Sequence, residues 1–166
     1  TFVARSNASG EWRVVSYSKA SGAAVVASSG GATRNYLLNP SFLVAQRGTS
    51  FTDATTPANS DDSYLFDQWI LLSDGNDVVD VSQDTHVPTN GLASAKLLCT
   101  ATVNKKFGFL QILEQKNSVG LIGNTVTFSF QAEVNNATRL DKIKAAIISW
   151  SGTADAPTSD IISAWG

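Results

Sequence analysis

The stretch Thr125-Val126-Thr127-Phe128-Ser129-Phe130-Gln131-Ala132-Glu133-Val134 decides how this chain is read. In an extended backbone Val126, Phe128, Phe130, Ala132 and Val134 fall on one face; Thr125, Thr127, Ser129, Gln131 and Glu133 fall on the other. Side chains alternate between the faces of a strand, so this period of two predicts a half-buried β-strand with Val126, Phe128, Phe130 and Ala132 in the core. The neighbouring runs have the same character. Residues 41–46, 64–72, 77–82, 95–101 and 107–114 read as further strands. Asp74-Gly75-Asn76 is a turn signal that would join 64–72 to 77–82 as a hairpin. Residues 47–63, polar and rich in Thr and Asp, read as a long surface loop. In 140–150, Leu140, Ile143, Lys144 and Ile147 have helical spacing, but Ala145-Ala146-Ile147-Ile148-Ser149-Trp150 suits a buried strand, which the surrounding strands favour. Short strands separated by turns predict an all-β chain folded as an antiparallel β-sandwich or barrel.

Two strand-like runs, 11–17 and 23–27, precede this region, the first entered through the turn residues Asn7-Ala8-Ser9-Gly10. A lone hairpin buries too little to be stable in water, so this part requires an upstream segment, the next domain or sister chains to pack on. Ser28-Ser29-Gly30-Gly31-Ala32-Thr33 offers little to bury and reads as a linker. The predicted domains are therefore 1–34, a short β-hairpin segment with its linker, and 35–166, the sandwich. The chain has no methionine and opens on Thr1-Phe2-Val3, which reads as a piece of a longer or processed polypeptide.

Of the 166 residues 16% are charged, and the net charge is -2, so no basic excess exists to attract phosphates and a nucleic-acid partner is not expected. No apolar run is long enough to cross a bilayer as a helix, so membrane insertion is not expected. The one cysteine, Cys99, lies in an apolar run and reads as a buried core residue, which is consistent with synthesis in a reducing cytosol.

Catalytic chemistry finds little support. The single histidine, His86, reads as an exposed loop residue that Asp84 could orient, with no nucleophile motif to complete a triad. One His and one Cys fall short of a zinc site. Asp74, Asp77 and Asp80 suggest calcium, but Asp77 and Asp80 would lie on opposite faces of an extended strand, and Asp74-Gly75 is an ordinary turn pair. Asp61, Asp62, Asp67, Glu114 and Glu133 show no spacing that pairs two carboxylates for glycoside hydrolysis. The expectation is a protein without cofactor, metal or enzymatic activity.

An ordered set of short stretches resembles a module of phage and prophage tail-fibre proteins, related in architecture to carbohydrate-binding jelly rolls. Asn35-Tyr36-Leu37-Leu38-Asn39-Pro40-Ser41-Phe42 is similar to its opening, Ala45-Gln46-Arg47-Gly48-Thr49-Ser50-Phe51 to its next segment, and Tyr64 with Asp67-Gln68-Trp69 to a third. Leu110-Gln111-Ile112-Leu113-Glu114, the run 123–132, Ile148-Ser149-Trp150-Ser151-Gly152-Thr153-Ala154-Asp155 and Ser163-Ala164-Trp165-Gly166 continue the likeness. Gly10 to Tyr17 resembles the β-structured segment that precedes the module. Leu43 stands where related jelly rolls often carry a Glu near a structural calcium. More strands would follow Gly166 in that family, so part of the sandwich would lie beyond this chain.

The resemblance implies a jelly-roll sandwich in a homotrimeric virion fibre, made in the bacterial host cytoplasm and extracellular after release. It implies attachment to a host cell-surface polysaccharide alongside other virion proteins. The alternatives are a purely structural fibre domain and an accessory domain of a polysaccharide-degrading tailspike. Tyr64 and Trp150 are the candidate aromatic platform. Arg47 could hold the carboxylate of an acidic sugar, or else pair with Asp67 or Asp53, and Asp67 could give a further polar contact. For Trp69, and by a smaller margin for Trp150, a core role is the favoured reading.

Overall fold

The computed structural model describes the backbone of Phe2–Ser6 and Trp12–Tyr17, and residues 34–88, 91–102, 104–136, 138, 140 and 142–150. The chain divides into two compact units, Thr1–Asn35 and Tyr36–Gly166. In the first, β1 (Phe2–Ser6) pairs antiparallel with β2 (Trp12–Tyr17), with a register shift between Val3 and Ala4. The strand expected at 11–17 thus forms; the run 23–27 lies outside the described residues.

The second unit is all-β in character, built on two antiparallel three-stranded sheets. One contains β3 (Ser50–Phe51), β6 (Val79–Asp84) and β7 (Ser94–Cys99) in the order β3-β6-β7. The other contains β4 (Ser63–Tyr64), β5 (Ile70–Ser73) and β8 (Phe107–Leu110) in the order β4-β5-β8. A single turn of helix, α1 (Gln115–Ser118), and a 3-10 turn (Val119–Leu121) follow. No helix among the described residues is long and apolar enough to cross a membrane.

Both sheets contribute to one core. Phe51, Val79 and Val81 come from the first, Leu71 from the second, and Leu65 and Phe66 from the turn between β4 and β5. Phe42, Trp69, Ala95, Phe107 and Phe109 pack around them. Along β5 the alternation is visible: Leu71 faces this core, whereas Ile70 and Leu72 face a second cluster with Leu110 and Ile112. Phe42 stands 5.0 Å from Trp69 and 5.4 Å from Phe109 between ring centroids, and Phe51 meets Phe66 edge-on at 5.4 Å. Trp69 is thus packed on the core, with its indole Nε1 donating to Asn39 O at 2.9 Å.

Several expectations are corrected. Residues 41–46 form a turn, because Asn39 (φ 47) and Phe42 (φ 55) both adopt left-handed backbone and Phe42 N–H closes on Asn39 O. The run 64–72 doubles back on itself, with Ser63 opposite Leu71 and Tyr64 opposite Ile70. Gln68 (φ 71) and the bonds Leu65 N–H to Trp69 O and Trp69 N–H to Phe66 O make that reversal. The turn after β5 leads from one sheet to the other, so β5 and β6 are not a hairpin; β6 pairs instead with β7. The polar loop is not all surface, since Phe51 and Asn59 are fully buried.

The largest correction falls on the alternating stretch. Residues 125–134 form no ladder, and all ten are exposed. Phe128 is 43% and Phe130 55% exposed, so neither faces the core. Residues 142–150 are likewise exposed and not in a strand. Alternation makes a segment fit for a half-buried sheet, but strand formation needs a partner edge, and among the described residues none pairs with either segment. Cys99, expected in the core, is only partly buried on edge strand β7, with Sγ 3.8 Å from Ala101 O.

Candidate functional site

Three polar side chains fix the loops that carry the candidate residues. Asn39 donates through Nδ2 to Val44 O and Asp67 O and accepts the Val44 N–H at Oδ1, clamping a five-residue turn around itself. Gln83 Nε2 donates to Phe42 O and Leu43 O from β6. Gln111 pairs with the backbone of Leu38 in both directions, each bond 2.7 Å. Side-chain amides can take the place of a strand ladder, satisfying backbone groups that would otherwise lack partners.

Arg47 sits at the end of this clamped segment. Gly48, at φ 142, turns the chain directly after it, in a conformation that a side chain would strain. The Arg47 guanidinium is exposed, donates to Tyr64 O at 3.0 Å and lies 5.4 Å from the centre of the Tyr64 ring. A cation over an aromatic face at an exposed site is worth about 0.5–1 kcal/mol, enough to bias the side chain toward this pose. The expected alternative, an ion pair with Asp67 or Asp53, does not form. The Asp67 carboxylate instead accepts the Gln46 N–H at 2.8 Å, one residue from Arg47. The turn at 45–48 and the reversal at 65–69 thus bring Arg47 onto Tyr64 and the Asp67 carboxylate onto the Gln46 backbone, with no hydrogen bond or ion pair between Asp67 and Arg47 or Tyr64. Tyr64 presents its ring at the surface, 39% exposed.

Trp150 is 48% exposed, contrary to a core role, and no ring contact joins it to Tyr64. Trp165 lies outside the described residues.

A second polar grouping was missed in the sequence. Buried Asn59 donates from Nδ2 toward Val79 O (3.0 Å), Asp80 Oδ1 (3.1 Å) and Asp77 Oδ1 (3.3 Å). Asp77 precedes β6 in left-handed backbone (φ 52), so the opposite-face argument for Asp77 and Asp80 does not apply. Burial, with Asp77 and Asp53 nearby, pushes the Asp80 carboxyl above its ordinary range. Asn59 Oδ1 is buried without a hydrogen-bond partner. Among the described residues no group of three His, Cys, Asp or Glu side chains is placed to hold a metal ion.

His86 is exposed, as expected. Asp84 Oδ1 accepts its backbone N–H at 2.8 Å, and its ring Nε2 lies 2.7 Å from Glu133 Oε2.

No protein-family model, curated protein or solved structure matches the chain.

Proposed function

We propose that the second unit is a glycan-binding domain of a virion fibre, holding host cell-surface polysaccharide without turnover. The reading rests on the ordered likeness of its segments to tail-fibre modules, and the two antiparallel sheets are compatible with it. The observation that supports it best is the Arg47–Tyr64 pair: an exposed aromatic ring beneath a guanidinium that spends one N–H on Tyr64 O. The remaining N–H groups suit the hydroxyls or carboxylate of a sugar, and the ring gives a stacking face. Asp67, whose carboxylate is anchored by the N–H of Gln46, the residue before Arg47, could offer an oxygen to sugar hydroxyls. Weak binding per site is sufficient, because linked copies raise avidity by roughly 10²–10⁴. Arg47→Ala and Tyr64→Ala are expected to lower binding on an array of bacterial surface polysaccharides about tenfold, the scale of about 1.4 kcal/mol, with Tm nearly unchanged. Wild-type binding by both variants, or none by the parent protein, counts against the reading.

A second reading, a structural domain of a homotrimeric fibre, is favoured by a different observation. Val126, Phe128, Phe130, Ile143, Ile147 and Trp150 are all exposed, more apolar surface in neighbouring segments than an isolated domain usually leaves. A trimer of the parent protein by light scattering, with no binding on the array, would favour it.

A further inference from the structure

We infer that His86 and Glu133 form a pH-dependent latch that ties residues 125–134 to the turn at the end of the β6–β7 hairpin. Among the described residues, the 2.7 Å contact between His86 Nε2 and Glu133 Oε2 is the single hydrogen bond or ion pair joining 125–134 to the rest of the unit. The segment has no ladder, and the ring contact within it, Phe128 against Phe130 at 6.0 Å, is internal. How often it lifts away therefore depends on this one pair far more than the opening of β5 or β6 depends on any one side-chain bond.

The histidine end is held in place. Asp84 Oδ1 accepts the His86 backbone N–H at 2.8 Å, and Ser94 Oγ donates to His86 O at 2.6 Å. The charged groups around the imidazole are Glu133 on the segment, Asp84 on its own turn, and Lys96 on β7, whose Nζ lies 4.0 Å from Asp84 Oδ2. The hydrogen bond and charge of Glu133 push the His86 pKa up, Asp84 adds to this, and slight burial opposes it. The Asp84 carboxyl is held below its ordinary range, chiefly by the His86 N–H, so it stays ionised while His86 titrates. A histidine whose folded pKa is raised contributes fully below its unfolded value of about 6.5, and the contribution is lost as pH rises through the folded value. The latch is firm on the acid side and loose on the alkaline side. Both side chains are mostly exposed, 72% and 63%, so solvent screens the pair and limits the effect to a few-fold change in opening.

His86 is the chain's single histidine, so its proton NMR titration is read without assignment by elimination. Glu133→Gln is expected to lower the midpoint. Cleavage of 125–134 by a protease of broad specificity is then compared at about pH 5.5 and about pH 8.5, either side of the ordinary histidine range, with rates corrected for the enzyme's own activity on an unstructured peptide at each pH. Wild-type protection should fall roughly two- to fivefold at the higher pH, the range an exposed pair supports. Glu133→Gln and His86→Gln should show equal, low protection at both. His86→Lys, charged throughout, should stay protected at both, and cleavage within β5 should not respond. An unchanged midpoint in Glu133→Gln, or equal corrected wild-type protection at the two pH values, overturns the latch. The wild-type comparison decides by itself should a variant fail to fold.

Discussion

Asn59 shows how a single residue can matter without any local signal. It stands in Ala58-Asn59-Ser60-Asp61-Asp62, where no apolar periodicity marks a buried position. Its burial is set by partners about twenty residues away, Val79 and Asp80, which sequence spacing cannot pair. Asn59→Ala is expected to lower stability by about 1–3 kcal/mol in urea unfolding, because Val79 O would lose a buried donor. Asp80 has the opposite sign. Its carboxyl pKa is raised, so the folded state takes up a proton more readily than the unfolded one. Stability therefore falls as pH rises from the ordinary aspartate range through the folded value. Asp80→Asn should raise Tm modestly at neutral pH, and the difference should vanish in acid, where wild-type Asp80 is itself protonated. Of the candidate site, Tyr64 was grouped with Trp150, with which it makes no ring contact, and only the residue types of Arg47, Tyr64 and Asp67 were legible from the sequence. The contact of Arg47 with Tyr64 O was not, because it depends on two non-glycine residues, Phe42 and Gln68, adopting left-handed backbone.

At the level of elements, strands were legible where an apolar run meets a partner, and illegible where it does not. Residues 79–84, 94–99 and 107–110 lie within or close to the expected runs and pair in sheets. The clearest alternation in the sequence, 125–134, pairs with nothing among the described residues. Period-two patterning reports what a face could bury, and the partner edge is a tertiary property that the pattern does not encode. The contrast gives a direct comparison. Phe66→Ala is expected to cost about 3–5 kcal/mol, as for a fully buried aromatic. Phe128→Asp, at a position 43% exposed, should stay within about 0.5 kcal/mol of wild type, the range of ordinary surface substitutions. Chemical denaturation of the two variants side by side measures both. A loss of several kcal/mol in Phe128→Asp would place that ring in a packed interface.

For the second unit as a whole, the all-β class followed from composition and turn spacing, whereas the path of the chain between its sheets did not. The turn at 74–78 looks the same in sequence whether it joins two strands of one sheet or leads from one sheet to the other. The selection is made by which faces find a common core: Leu71 on β5 and Val79 and Val81 on β6 belong to one buried cluster. The same architecture has a kinetic consequence. The β4–β5 reversal and the β6–β7 hairpin close over short stretches of chain, whereas Leu38 and Gln111 join residues 73 apart. Closing a long loop is entropically costlier and is rewarded only once the intervening strands are in place. The two 2.7 Å bonds between Gln111 and Leu38 are therefore expected to form late in assembly and to break early in disassembly. Gln111→Ala should leave the folding limb of a chevron plot unchanged and raise the unfolding rate about fivefold, as expected when about 1 kcal/mol of native interaction is absent from the transition state. The amide of one glutamine would then act as the clasp that sets how long the folded unit lasts, more than how fast it forms.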